Sequence, residues 1–250
     1  MLALILASCN GDEPPAGVTA WRAEVVATFP HDPGSFTQGL EMRDGKLYES
    51  AGGLGTSFVT VSTLETGAVA TRADLAGDVF AEGLTVVGDK LWQLTWRNHV
   101  ALLRDRATLA VEREFPLDGE GWGICYDAGR DLLVTSDGGS DLTLRDPRTF
   151  NPVRRVGVTL DGRPRDRLNE LECAGGKVWA NIWEDDEFVR IDLDSGRVTD
   201  TVQVGQLPDF SSGILNGIAA LPATDDLLIT GKNWPHLYRV RLETTAGQNR

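Results

Sequence analysis

Basic residues are scarce in this chain: 24 Lys and Arg stand against 37 Asp and Glu, for a formal net charge of -13. No basic run occurs, which argues against nucleic acid as a partner, because binding phosphate needs a positive field. Histidine and cysteine are few, three of each. His31, His99 and His236 have neither ligand spacing nor paired thiolates beside them, so no zinc site is expected. There is no Gly-x-Ser-x-Gly elbow and no phosphate-binding glycine loop. No segment has helical apolar periodicity of any length, and the apolar run at residues 1–7 is too short to span a bilayer.

What is plentiful is glycine, with 28 residues, many at short turns between apolar stretches. A short unit recurs: Gln38-Gly39-Leu40, Glu82-Gly83-Leu84, Trp122-Gly123-Ile124, Asn169-Glu170-Leu171 and Asn216-Gly217-Ile218. Its copies are 44, 40, 47 and 47 residues apart, a period that marks propellers and solenoids. Each copy opens an apolar strand. A turn such as Asp44-Gly45 or Gly175-Gly176 follows, then a second strand such as Leu91-Trp92-Gln93-Leu94. Third strands follow, such as Phe188-Val189-Arg190-Ile191, and Val69, Val111, Val153 and Val198 begin fourth strands. Four strands per repeat make the blade of a β-propeller. The last repeat lacks a fourth strand, and the segment Ala23-Glu24-Val25-Val26-Ala27-Thr28-Phe29 is spare. The expected fold is therefore an all-β, five-bladed propeller over residues 22–250, with the N-terminal strand completing the last blade and hiding its edge. A β-sandwich has no reason for a five-fold unit, and a β-helix coil would be shorter.

Residues 1–21 read as an export signal and tether. The run Met1-Leu2-Ala3-Leu4-Ile5-Leu6-Ala7 leads into Ser8-Cys9, which resembles a bacterial lipobox with Cys9 as the lipidated residue. A lipid-anchored protein on the periplasmic side of a bacterial envelope is expected, touching the membrane only through that anchor. Without lipidation it would be secreted, and a monomer is expected in either case. Cys125 and Cys173 occupy nearly matching places in two adjacent repeats. An oxidising envelope would allow a bridge, but they are read as two small buried thiols.

Propellers bind ligands at one mouth of the axis, where the leading residues of the inner strands converge. A ring of Gln38, Glu82, Trp122, Asn169 and Asn216 is a candidate lining. Around it stand Phe36, Phe80, Trp96, Trp183 and Lys232 with Trp234. Trp96 and Trp183 each lie 14 residues after their opening residue, and so end second strands at one level. Tryptophans more often fill cores, but these fall at equivalent edge positions beside Glu, Asn and Lys. Burial of Glu82 against aromatics would raise its pKa toward neutrality, as acid–base work requires. Lys232 reads either as a solvated strand end or as a fixed cation in a cavity. Asp137-Gly138-Gly139-Ser140-Asp141 offers oxygen ligands for a structural calcium ion, and a hairpin turn explains it equally well.

At these residues the chain resembles the glutamine cyclotransferases of plant and bacterial type. The resemblance runs from His31 to about Tyr238. It is carried by His31-Asp32-Pro33-Gly34-Ser35-Phe36-Thr37-Gln38-Gly39-Leu40, Tyr48-Glu49-Ser50, Phe80-Ala81-Glu82-Gly83-Leu84-Thr85, Leu94-Thr95-Trp96, Gly121-Trp122-Gly123, Leu168-Asn169-Glu170-Leu171-Glu172, Asn181-Ile182-Trp183, Ile214-Leu215-Asn216-Gly217-Ile218-Ala219 and Gly231-Lys232-Asn233-Trp234-Pro235. Each stretch is weak alone, and their joint order is specific. Departures are minor: Gly34-Ser35 where the second position is commonly Ala, and Cys173 where an aromatic is frequent.

The resemblance implies a five-bladed propeller, in agreement with the repeat count. It also implies a metal-independent aminoacyltransferase that needs no cofactor. The reaction converts the N-terminal glutamine of a peptide or protein to 5-oxoproline and releases ammonia. Family active-site positions fall on Phe36, Gln38, Phe80, Glu82, Trp96, Trp122, Asn169, Trp183 and Lys232, all matching in type. On this reading Glu82 moves the proton, Lys232 with Gln38 or Asn169 steadies the oxyanion, and the aromatic residues bind substrate. Two other readings compete. One is a non-catalytic envelope propeller that binds peptide ends or sugars. The other is a calcium-dependent lactonase-type propeller, which needs an axial cluster of acidic and Asn ligands.

Overall fold

The computed structural model describes residues 17–245, so Cys9 and residues 1–16 of the expected signal and tether lie outside the described residues. Residues 19–21, expected to belong to the tether, instead open the first strand, because they pair with strands of the last two repeats. Strand β1 (Thr19–Pro30) leads into three four-stranded antiparallel meanders. They are β2 (Thr37–Arg43), β3 (Lys46–Ala51), β4 (Phe58–Ser62) and β5 (Val69–Asp74); β6 (Ala81–Val87), β7 (Lys90–Thr95), β8 (Val100–Asp105) and β9 (Val111–Pro116); and β10 (Ile124–Asp127), β11 (Leu132–Thr135), β12 (Asp141–Arg145) and β13 (Pro152–Gly157). A two-residue-per-strand hairpin, β14 (Thr159–Leu160) and β15 (Arg163–Pro164), precedes β16 (Leu168–Ala174), β17 (Lys177–Ile182), β18 (Glu187–Asp192) and β19 (Arg197–Gln203). The last run is β20 (Leu215–Ala220), β21 (Leu227–Gly231) and β22 (His236–Thr244).

The spare N-terminal strand does complete the last run. β1 pairs antiparallel with β22, from Trp21 opposite Thr244 to Pro30 opposite His236. It also pairs parallel with β19, from Thr19 opposite Asp200 to Arg22 opposite Gln203. That second pairing joins the last two runs into one sheet of order β16-β17-β18-β19-β1-β22-β21-β20. The first strands of the runs touch in a cycle: β2 on β6, β6 on β10, β10 on β16, β16 on β20 and β20 on β2. The result is an all-β, propeller-like ring of meanders.

Burial follows radius. β2, β6, β16 and β20 are buried over most of their length, whereas β5, β9 and β13 are largely exposed. The apolar core lies between adjacent sheets, as where Trp92 stacks on Phe150 at 4.9 Å beside Ile124 and Leu133. Each such buried side chain is worth roughly 1.5–3 kcal/mol. The repeated glycine makes room for the neighbouring sheet: a Cβ on Gly123 would stand 2.1 Å from the Asn169 carbonyl oxygen. Where the fourth copy has Glu170 instead, the side chain turns inward, and its two carboxyl oxygens accept Leu40 N (3.3 Å) and Ile218 N (2.9 Å). One carboxyl thereby ties three inner strands.

Two expectations need correction. Cys125 and Cys173 are not separate thiols but a disulfide, with Cα atoms 5.4 Å apart, joining β10 to β16. The matching repeat positions face each other across neighbouring sheets, a through-space relation that spacing alone does not reveal. Trp234 is wholly buried in the core and donates its indole N–H to the Gly213 carbonyl at 3.1 Å, so it lines no site.

Candidate active site

The polar residues of the repeated unit project where they do because the ladder fails there. Pairing of β2 with β3 shifts register between Thr37 and Gly39, β6 with β7 between Ala81 and Leu84, and β16 with β17 between Leu168 and Leu171. Gln38, Glu82 and Asn169 sit in those irregularities, and a bulge re-aims a side chain that a regular strand would point into the sheet. The second strands end at a matching level. Trp96 N donates to Phe80 O, Trp183 N to Arg167 O, and Lys232 N to Ile214 O, at 3.0, 2.9 and 2.8 Å. These pairings fix the roots of Trp96, Trp183 and Lys232 around one opening.

That opening is a cavity of about 480 Å³ lined by Phe36, Gln38, Phe80, Glu82, Trp96, Arg97, Glu120, Trp122, Asn169, Trp183 and Lys232. All nine side chains singled out from the sequence for catalysis or binding meet here. Arg97 and Glu120 were missed, Glu120 because Asp118-Gly119-Glu120-Gly121 has the composition of a solvated turn. Asn216 is the ring member that does not line the cavity. Wholly buried, it donates from Nδ2 to Thr37 O and Gln38 Oε1, each at 2.9 Å. Gln38 in turn donates from Nε2 to Glu82 Oε1 at 3.2 Å. Asn169 is 3% exposed, and among the described residues its side-chain amide has no protein partner.

The wall is aromatic. Phe36 meets Phe80 edge-on with ring centres 6.2 Å apart, Phe80 meets Trp96 at 5.7 Å, and Trp122 meets Trp183 edge-on at 5.6 Å. The Lys232 ammonium lies 4.8 Å from the Phe36 ring centre, a cation–π contact. Glu82 and Lys232 are each 5% exposed. Burial pushes the Glu82 carboxyl well above its ordinary range; Lys232 opposes that rise and Glu120 adds to it. Burial also pulls the Lys232 ammonium below its ordinary value, against the pull of Glu82 and Glu184. A buried acid and a buried cation that feel each other without pairing, in an aromatic cup, suit proton transfer beside a developing negative charge. The loop from Asp137 to Asp141 is tightened by Gly139 N donating to Asp137 Oδ1 at 2.9 Å.

A propeller-like ring whose inner-strand irregularities deliver a buried carboxyl, and whose second-strand ends deliver a buried amine, into an aromatic mouth defines a ligand-processing propeller. The family model of glutamine cyclotransferases matches residues 1–242. A glutaminyl-peptide cyclotransferase of Arabidopsis thaliana is 36% identical over 235 residues, covering 90% of this chain and 73% of its own length. The crystal structure of the Myxococcus xanthus glutaminyl cyclase superposes with a TM-score of 0.83 at 36% identity, over 91% of this chain and 99% of that one. The WD40 β-propeller domain of Doa1, 11% identical, matches with a TM-score of 0.50 over 81% of this chain and 62% of that one, a likeness of fold alone. The chain belongs to the glutamine cyclotransferase family.

Proposed function

We propose that this chain is a glutaminyl-peptide cyclotransferase that closes the N-terminal glutamine of a peptide or protein into 5-oxoproline and releases ammonia. The observation that carries the reading is Glu82, a single buried carboxyl inside an indole-lined cavity and opposite a buried lysine.

Proton accounting assigns the roles. A peptide α-amine has a pKa of about 7.7–8, so much of it is an ammonium at neutrality and cannot attack. Glu82 as carboxylate holds that ammonium and takes one proton. The freed amine nitrogen bonds to the side-chain amide carbon. As the bond from that carbon to the amide nitrogen breaks, Glu82 hands its proton to the departing nitrogen, which leaves as ammonia; the carboxylate then takes the second proton from the new ring nitrogen and passes it to water. A raised pKa suits a group that must accept and then donate, and such catalysis contributes on the order of 10²–10⁴ in rate. Lys232 and Asn169 steady the transient oxyanion. Gln38, whose Nε2 is occupied by Glu82, orients the carboxyl. The aromatic walls hold the glutamine side chain curled toward its own amine, which favours an intramolecular closure.

The same proposal includes a single five-bladed domain whose first strand starts at Thr19 rather than at residue 22, supported by the cycle of contacts among β2, β6, β10, β16 and β20. It includes catalysis without a metal or cofactor by a monomer. Lipidation at Cys9 on the periplasmic side of a bacterial envelope completes it, supported by the lipobox-like Leu6-Ala7-Ser8-Cys9. The test is ammonia release from a Gln-initiated dipeptide by the purified protein, with and without chelator. One ammonia per 5-oxoprolyl product, unchanged by chelator, is expected. No ammonia would overturn the activity, and chelator-sensitive release would overturn metal independence.

A further inference from the structure

The aromatic wall is two separate arcs. Phe36, Phe80 and Trp96 form one, and Trp122 and Trp183 form the other. The link between them is polar. Glu120 Oε2 accepts the indole N–H of Trp96 at 2.8 Å and that of Trp122 at 3.1 Å. Its Oε1 accepts Arg97 Nε at 2.7 Å, and the Arg97 guanidinium lies 3.8 Å over the Trp96 ring. An indole can only donate, so without an acceptor each N–H would lose its partner and each ring a restraint. The loop carrying Glu120 is itself docked, since Gly121 N donates to Thr95 O and Trp96 O at 3.2 and 3.1 Å.

We infer that Glu120 is a positioning residue that clamps the Trp96 and Trp122 indoles at a fixed separation across the cavity mouth, with Arg97 locking the clamp. Trp96 follows β7 and Trp122 precedes β10, so the clamp joins two neighbouring sheets exactly where a substrate side chain must be held curled. A carboxylate is the group that can accept all three donors at once. The Arg97, Trp122 and Trp96 hydrogen bonds overcome partial burial and keep Glu120 below its ordinary pKa, so it stays ionised at neutrality. A glutamine there has one acceptor oxygen for three donors. The inference rests on the cyclase reading for its effect on turnover, and on geometry alone for the clamp.

The experiment compares wild type with Glu120→Gln, Glu120→Ala and the neighbouring control Asp118→Asn. It reads ¹⁵N-indole resonances and steady-state kinetics on a Gln-initiated dipeptide. Glu120→Gln should move the Trp96 and Trp122 indole N–H signals and leave those of Trp92 and Trp179 in place; Asp118→Asn should move none of the four. Because misplacing a reacting group by about 1 Å can cost on the order of 10²-fold, Glu120→Ala should lower kcat about 10- to 100-fold with a smaller rise in KM. Glu120→Gln, which keeps shape and one acceptor, should lie between Glu120→Ala and wild type. Unmoved indole signals, or a kcat for Glu120→Ala within about twofold of wild type, would overturn the inference. A wild-type protein that releases no ammonia would overturn the cyclase reading instead, and the indole signals would still decide the clamp. Glu120 is 32% exposed, and a thermal melt of the isosteric Glu120→Gln variant separates loss of the clamp from loss of the fold.

Discussion

Gln38 points its amide nitrogen, not its oxygen, at Glu82. The orientation is inherited: the Thr37 carbonyl can only accept, so Asn216 must turn its NH₂ toward it, and the same NH₂ then claims Gln38 Oε1. Gln38 Nε2 is left facing Glu82 Oε1 at 3.2 Å. Substituting Asn216→Leu keeps an apolar filler but removes the orienting donor. Cyclisation of a Gln-initiated dipeptide should then fall about tenfold in kcat/KM, the equivalent of one misdirected hydrogen bond. An unchanged kcat/KM would show that Asn216 serves only packing.

Glu82→Gln removes the carboxyl that carries the proton in the proposed mechanism while keeping its shape. Ammonia release should drop by about 10²–10⁴-fold with the circular dichroism spectrum unchanged. Stability should move the other way. A carboxyl whose folded pKa lies above its unfolded one contributes most below its ordinary value of 4.5, and that contribution is lost as pH rises through the folded pKa. The variant should therefore melt at or above the wild-type temperature at pH 8. A lower Tm there would contradict burial as the cause of the shift.

The pH dependence of kcat/KM should rise on the acid side through a group well above the ordinary carboxylate range. It should fall on the alkaline side before an ordinary lysine would lose its charge at 10.5. Lys232→Met tests the coupling. Lys232 holds the Glu82 pKa down, so removing it should carry the acid limb to higher pH and abolish the lysine's share of the alkaline one. An acid limb that stays in place would mean that Glu82 does not feel Lys232.

Glu170 is structural. Glu170→Ala leaves Leu40 N and Ile218 N without their acceptor in the buried centre of the ring. At about 1–3 kcal/mol for each orphaned buried amide, the loss should total about 2–6 kcal/mol. Urea denaturation near pH 5, where burial favours the neutral carboxyl, gives the value. A loss below about 1 kcal/mol would mean that water replaces the carboxyl.

Much of this was legible because the ring repeats itself: five copies of one unit expose positions that a single copy would hide. Glu82, Asn169 and Lys232 stood out as polar residues at strand ends rich in aromatics, and the cavity gathers them. What escaped depends on contacts across the ring. Asn216 has the same repeat position as Glu82, yet its amide is spent on Thr37 and Gln38. The Cys125–Cys173 bridge needed two sheets to face each other. The small hairpin β14–β15 was within reach, since Asp161-Gly162 supplies the two left-handed residues of a tight turn.

The pairing of β1 with β22 sets a timetable. The strand made earliest among those described finds its antiparallel partner more than two hundred residues later. At a synthesis rate of about 5–20 residues per second, β1 waits on the order of 10–40 s for β22 to leave the ribosome. The meanders from β2 to β13 can mature meanwhile, each from local hairpins, but the seam stays open until β22 has emerged. Nascent chains should therefore acquire a working mouth only once β22 has emerged, and a circular permutant opened between β5 and β6 would make this seam a local hairpin.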